Sequence, residues 1–189
     1  MKNIAIFASG SGSNAEQIIR RFEHSPLARV AVVLANRPDA LVLERAVRLN
    51  VPAEVFSRED FYDNGRVTAL LRQYRVDYIV LAGFLWLVPE GLVRDYPGRI
   101  VNIHPALLPK YGGKGMYGYR VHRAVIESGD RESGITIHRV NEVYDSGDIL
   151  LQETVEVTPE DTPDSLAAKI HALEHEFYPW VVEREISKI

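Results

Sequence analysis

The segment VNIHPALLPKY, residues 101–111, carries an asparagine and a histidine two positions apart at the end of a short apolar run, then stops at a proline. In an extended strand, side chains at i and i+2 share one face about 6.5–7 Å apart, so Asn102 and His104 point the same way. They offer an amide donor and an imidazole that titrates near neutral pH. Further along, the turn EVYDSGDIL supplies Asp145. Brought together, an amide, an imidazole and a carboxylate supply a donor, a titratable imidazole and a base. Each also has a plainer reading. The Asn and His fit a half-buried pair bonded to neighbouring backbone, and Asp-Ser-Gly is good turn chemistry by itself.

A second pattern lies near the start. FASGSGSNAEQII puts glycines between an apolar run and a helical stretch, where backbone N–H groups and a helix N-terminus form an anion site. Three readings compete: a loop for a phosphate-bearing ligand, a plain tight turn, and a dinucleotide fingerprint, since Gly10, Gly12 and Ala15 satisfy G-x-G-x-x-A. The fingerprint also needs an acid at the end of the second strand to hold ribose hydroxyls. That strand ends VVLANRPDA, with Asn36 and Arg37 in place of a carboxylate.

The elements that must position these residues follow from hydrophobic periodicity. Short β-branched runs (IAIFAS, VAVVLAN, AEVFS, DYIVLAG, RIVNIH) alternate with helical stretches over 14–24, 39–50 and 58–75. Such alternation predicts right-handed βαβ units feeding a parallel sheet with helices on both faces. After residue 130, GITIHRV and ILLQETVEV read as an antiparallel pair joined through YDSGD. A last helix is predicted from Pro163 to Glu185, capped by Thr162, with Pro179 kinking or breaking it. The fold class is α/β: a Rossmann-like open, mainly parallel sheet with an antiparallel C-terminal strand pair, in one domain over 1–189. Ligands of such sheets bind at the carboxyl ends of the strands, where Asn102 and His104 fall.

Composition narrows the functional classes. The 189 residues are 46% hydrophobic, enough for one substantial core. With 22 basic and 26 acidic residues and no basic run, nucleic acid is not the expected partner. There is no cysteine for a disulfide or thiolate site. The apolar run at the start is too short for a signal peptide or a membrane span, so a cytoplasmic protein without membrane attachment is expected. His171 and His175 sit i, i+4 on the last helix, but no third ligand accompanies them and no metal is expected. His138 reads as a strand residue satisfied by its neighbours.

In the order SGSGSN, LAGF, VNIHPALLPKY, YDSGDIL, the chain resembles the phosphoribosylglycinamide formyltransferases, a branch of the folate-dependent formyltransferase superfamily, over nearly its whole length. The resemblance implies a single formyltransferase domain that moves the formyl group of 10-formyltetrahydrofolate to the amine of 5′-phosphoribosylglycinamide in purine synthesis, without a metal. It implies Asn102, His104 and Asp145 as the catalytic set. It implies Ser11, Gly12, Ser13 and Asn14 for the substrate phosphate and Glu174, in HALEHEFYP, for the ribonucleotide. For the folate it implies Arg58, the segment Leu85, Trp86, Leu87 and Val88, and the backbone of Glu142, Val143 and Tyr144. The Asn-x-His-Pro and Asp set is common to the superfamily, so another folate-dependent formyltransferase, a formyltetrahydrofolate hydrolase and a nucleotide-binding module stand as alternatives. Partners are expected to be small molecules, with the chain a monomer or homodimer. KYGGKGMYGYRVH departs from the family pattern by its length, its glycines and Arg120 at the first histidine's position. Gly112, Gly113, Gly115 and Gly118 suit a mobile lid there.

Overall fold

A computed structural model describes residues 1–143 and 145–189. Five strands run parallel: β1 (Lys2–Ala8), β2 (Ala28–Ala35), β3 (Ala53–Val55), β4 (Tyr78–Leu81) and β5 (Ile100–His104). Two more are antiparallel: β6 (Glu132–Arg139) pairs with β5, and β7 (Ile149–Glu156) pairs with β6. The sheet order is β3-β2-β1-β4-β5-β6-β7, so the winding reverses between β1 and β4. At such a reversal the connections leave to opposite sides and open a crevice beyond the strand ends. The expected architecture, including the antiparallel pair, is present.

Both faces are covered because both faces of the strands are apolar. On one side Ile4, Ile6 and Ala8 pack with α1 (Ser13–Phe22), α2 (Val42–Arg48) and α7 (Pro163–Ile186) through Ile18, Phe22, Val42, Ile170, Val181 and Val182. Helix α6 (Tyr119–Ser128) adds Val125 to this layer. On the other side Ala5, Phe7, Ile79 and Ile100 meet Phe56, Phe61, Leu71, Phe84 and Leu92 from α3 (Arg58–Tyr62), α4 (Arg66–Gln73), α5 (Glu90–Asp95) and their connections.

Three details differ from the periodicity reading. The helix expected over 58–75 is two, because Asp63-Asn64-Gly65 makes a turn with Gly65 at φ 73. The helices over 90–95 and 119–128 were not foreseen. Helix α7 does not break at Pro179. The buried residues on both sides of the proline pin the helix: Tyr178 donates its hydroxyl to the carbonyl of Leu81 at 2.8 Å, and Val181 and Val182 are fully buried. Packing outweighs one lost backbone hydrogen bond. The start of α7 is as expected, with Thr162 and Ser165 capping reciprocally and proline in the first turn.

Candidate active site

The antiparallel register of β5 and β6 sets Asn102 opposite His138 and His104 opposite Thr136. Val101 and Ile103 enter the core on one face, which turns Asn102 and His104 to the other. His138 Nδ1 lies 2.9 Å from the Arg139 carbonyl, which only accepts, so Nδ1 carries the proton and Nε2 accepts from Asn102 Nδ2 at 3.2 Å. An amide nitrogen has two hydrogens, so one remains for a ligand. His104 Nε2 lies 2.7 Å from the Tyr111 carbonyl and donates to it. Its Nδ1 faces Asp145 Oδ2 at 3.5 Å, while Asp145 Oδ1 lies 3.6 Å from His138 Nε2. The Gly113 N–H donates to Asp145 Oδ2 at 2.9 Å. The carboxylate therefore stands between two imidazoles.

His104 is 4% exposed, and that burial pushes its pKa below the ordinary value against the pull of Asp145's charge and the Tyr111 carbonyl. Burial would raise the Asp145 carboxyl, but its contacts with His138, His104 and the Gly113 N–H hold it below the usual carboxylate range. At neutral pH the resting pair is a carboxylate beside a neutral imidazole. Tyr111 and Asp145 both hold positive φ, 56° and 52°, sparsely populated conformations that cluster at functional sites.

Beyond β1, Gly12 caps α1 at φ 74, with no side-chain cap bond among the described residues. No other residue fits, since a Cβ there would lie 2.5 Å from Val42 Cβ. The first N–H groups of a helix have no intrahelical acceptor, so this end offers donors to an anion. Arg45 Nε braces the loop by donating to the Ser11 carbonyl at 2.7 Å. Asn14 Nδ2 donates to Glu174 Oε2 at 2.9 Å across 160 residues of sequence. Glu174 is 6% exposed, and burial raises its pKa against the Asn14 bond and the nearby His171.

At the opposite end, Trp86 packs on Phe56, Phe61, Tyr62 and Phe84 with ring centroids 5.9–6.3 Å away. The Arg58 guanidinium stacks over Tyr62 at 5.0 Å and Trp86 at 5.5 Å. Leu85 donates its N–H to Ser9 Oγ, and the Leu87 carbonyl accepts from the Tyr62 hydroxyl. Val88 is buried beneath them.

One cleft of about 710 Å³ joins these regions. Its wall includes Ser11, Gly12, Ser13, Asn14 and Glu174, then Asn102, His104 and Asp145, then Arg58, Leu85, Trp86, Leu87, Val88 and Val143. Glu142 is exposed and stands outside the wall, and Tyr144 lies outside the described residues. The segment from Gly113 to Gly118 also lines the cleft, with Gly113, Gly115 and Gly118 at positive φ. Arg37 reaches the wall paired to Asp39. No group of three His, Cys, Asp or Glu suited to a metal occurs among the described residues.

Two buried histidines of the wall, His138 and His122, have no place in the set that the sequence implies. His138 is satisfied by neighbours, as its strand position implied, but those neighbours are Asn102 and Asp145. The alternation in GITIHRV sets it on the Thr136 face, yet only the cross-strand register brings it to Asn102. His122, on α6, is buried with Nδ1 lacking a partner among the described residues, and burial lowers its pKa to about 4.

The open α/β sheet thus brings a glycine loop, an Asn-His-Asp cluster and an aromatic wall together in one cleft at its switch point. The chain belongs to the formyl transferase family, which matches residues 2–182. It is 44% identical over 187 residues to "Phosphoribosylglycinamide formyltransferase, chloroplastic" of Arabidopsis thaliana, covering 96% of this chain but only 64% of that relative's length. It is 35% identical to the phosphoribosylglycinamide formyltransferase of Bacillus subtilis (strain 168), covering 97% of this chain and 94% of the other. The solved phosphoribosylglycinamide formyltransferase from Anaplasma phagocytophilum superposes with a TM-score of 0.89 at 33% identity, over 98% of this chain and 87% of that one. Among the described residues, no helix is long and apolar enough to cross a membrane.

Proposed function

We propose that the protein transfers the formyl group of 10-formyltetrahydrofolate to the amine of 5′-phosphoribosylglycinamide, a step of purine biosynthesis, as one formyltransferase domain over 1–189. The observation that carries the reading is the meeting of Asp145, His104 and Asn102 in one cleft between the glycine loop and the Trp86 wall. The loop from Ser11 to Asn14 takes the phosphate on backbone N–H groups, and Glu174 with Asn14 takes the ribonucleotide. The pterin lies along Leu85 to Val88 with the backbone of Val143 closing over it, and Arg58 serves the glutamate tail.

The amine nitrogen attacks the formyl carbon, forming a tetrahedral intermediate with an oxyanion and a proton to lose. Asn102's free amide hydrogen stabilises the oxyanion. The lone pair of neutral His104 Nδ1 takes up the proton that the attacking amine loses, and the resulting imidazolium is held by Asp145 and donates to the oxyanion. Asp145, directly or through water, helps move that same proton on to the folate N10, which returns His104 to its neutral form. Breaking the carbon–N10 bond then releases the formylated amide and tetrahydrofolate. The segment from Gly112 to Gly118 closes over the bound substrates.

The test is the absorbance change as 10-formyl folate is consumed. The proposal expects consumption that depends on the ribonucleotide amine, and amine-independent consumption or none would remove it.

A further inference from the structure

We propose that Tyr111 is a positioning residue whose main chain, anchored by its own hydroxyl, selects which nitrogen of His104 faces Asp145. This rests on the roles given above to His104 and Asp145.

A carbonyl only accepts, so the 2.7 Å contact between the Tyr111 carbonyl and His104 Nε2 requires the proton of the neutral ring to sit on Nε2. Nδ1 is then a bare lone pair aimed at Asp145 Oδ2, 3.5 Å away. In the other tautomer that edge would already hold its proton, and no lone pair would face the cleft to receive one. The other titratable groups near the ring are Asp145 from the loop after β6, His138 from β6 and His122 from α6. Among the described residues, none of them hydrogen-bonds Nε2. With His104 4% exposed, bulk water does not select the tautomer either.

The carbonyl is aimed by a backbone conformation that needs support. Tyr111 holds φ 56°, which a non-glycine residue keeps only where its surroundings enforce it. The support comes from the far end of its side chain, where the hydroxyl donates to Asp130 Oδ2 at 2.7 Å and lies 2.7 Å from Ser128 Oγ. Asp130 is itself paired to Lys110 at 3.1 Å. Two residues on, the Gly113 N–H donates to Asp145 Oδ2. Between them a Cβ on Gly112 would lie 2.5 Å from Leu108 Cδ2 and would have to push that side chain aside. Residues 111–113 thus form one strap whose carbonyl orients the imidazole, whose N–H orients the carboxylate, and whose anchor stands away from the cleft on Asp130.

The experiment reads the tautomer directly from the ring-nitrogen chemical shifts of His104 in ¹⁵N-labelled protein without substrate, across pH, beside kcat and KM. Parent protein is expected to show Nε2–H, and Nδ1–H there overturns the proposal. Tyr111→Phe keeps the ring and removes the anchor. Asp130→Ala removes the acceptor, and Asp130→Asn keeps one oxygen in place. Tyr111→Phe and Asp130→Ala are each expected to mix the tautomers and lower kcat about tenfold with KM nearly unchanged, the scale of one charge-assisted hydrogen bond. Asp130→Asn is expected to recover most of that loss, and the Tyr111→Phe, Asp130→Ala double variant to be no worse than either single. A pure Nε2–H ring and unchanged kcat in folded Tyr111→Phe overturn the inference. Should that variant not fold, the same result in Asp130→Ala does so. Since the tautomer is measured without substrate, a parent protein inactive in formyl transfer would sink the proposed function while leaving this result to stand or fall separately.

Discussion

Replacing Asp145 by asparagine removes one charge and little else. Asparagine tolerates the positive φ of 52° found there, and its carbonyl oxygen can still accept from the Gly113 N–H. What disappears is the attraction between the carboxylate and an imidazolium forming 3.5 Å away. At that distance Coulomb's law gives ~5 kcal/mol with an effective dielectric of about 20 and ~1 kcal/mol in bulk water. With His104 4% and Asp145 10% exposed at the side chain, the site lies between these limits, nearer the first. A loss of ~3–4 kcal/mol from the transition state corresponds to a fall of about 10²–10³ in kcat. Because Asp145's charge raises the His104 pKa, its removal also moves the acid limb of the kcat–pH profile to lower pH. Steady-state kinetics at saturating substrates, with circular dichroism to verify the fold, measures both. A folded variant that keeps kcat within about threefold of the parent would refute the charge argument, since that corresponds to under ~1 kcal/mol.

Glu174→Gln keeps an acceptor for Asn14 and removes a buried charge; because the folded pKa is raised above 4.5, ionisation at higher pH works against folding. Its Tm is expected to exceed the parent's at pH 8 but not at pH 4, and an equal difference at both values contradicts this. His122 has its pKa depressed from 6.5 to about 4, so its contribution to stability is present above pH 6.5 and lost as pH falls through about 4. Urea unfolding of His122→Gln should therefore show about 3 kcal/mol less acid dependence than the parent, from the linkage of 1.36 kcal/mol per pKa unit; parallel curves count against it. Gly12→Ala places a Cβ 2.5 Å from Val42 Cβ at φ 74 and is expected to cost about 1–3 kcal/mol. It should also raise KM for the ribonucleotide far more than for the folate, and equal changes in both would detach the loop from the phosphate.

The parts of this molecule legible in the sequence are those fixed by local periodicity and by side-chain type. The period-2 run RIVNIH sets Asn102 and His104 on one face, and both line the cleft. Thr162 and Pro163 mark the start of α7. Asp63-Asn64-Gly65 is turn chemistry embedded in the helical periodicity of 58–75, and the turn divides that stretch into α3 and α4. Pro179 shows the opposite failure, a correct local rule overruled by tertiary packing around Tyr178. His138 joins Asn102 only through the β5–β6 register, which depends on residues far apart in sequence. The Tyr111 carbonyl and the Gly113 N–H carry no side-chain signature at all, so no motif could have announced that they orient His104 and Asp145.

The most direct measurement supplies the folate donor with a ¹³C-labelled formyl group and follows the label by NMR in the presence of the ribonucleotide amine. The account predicts that the label appears in the formamide carbon of the ribonucleotide product, in step with the tetrahydrofolate released. Label recovered as free formate, or left on the folate, would contradict it.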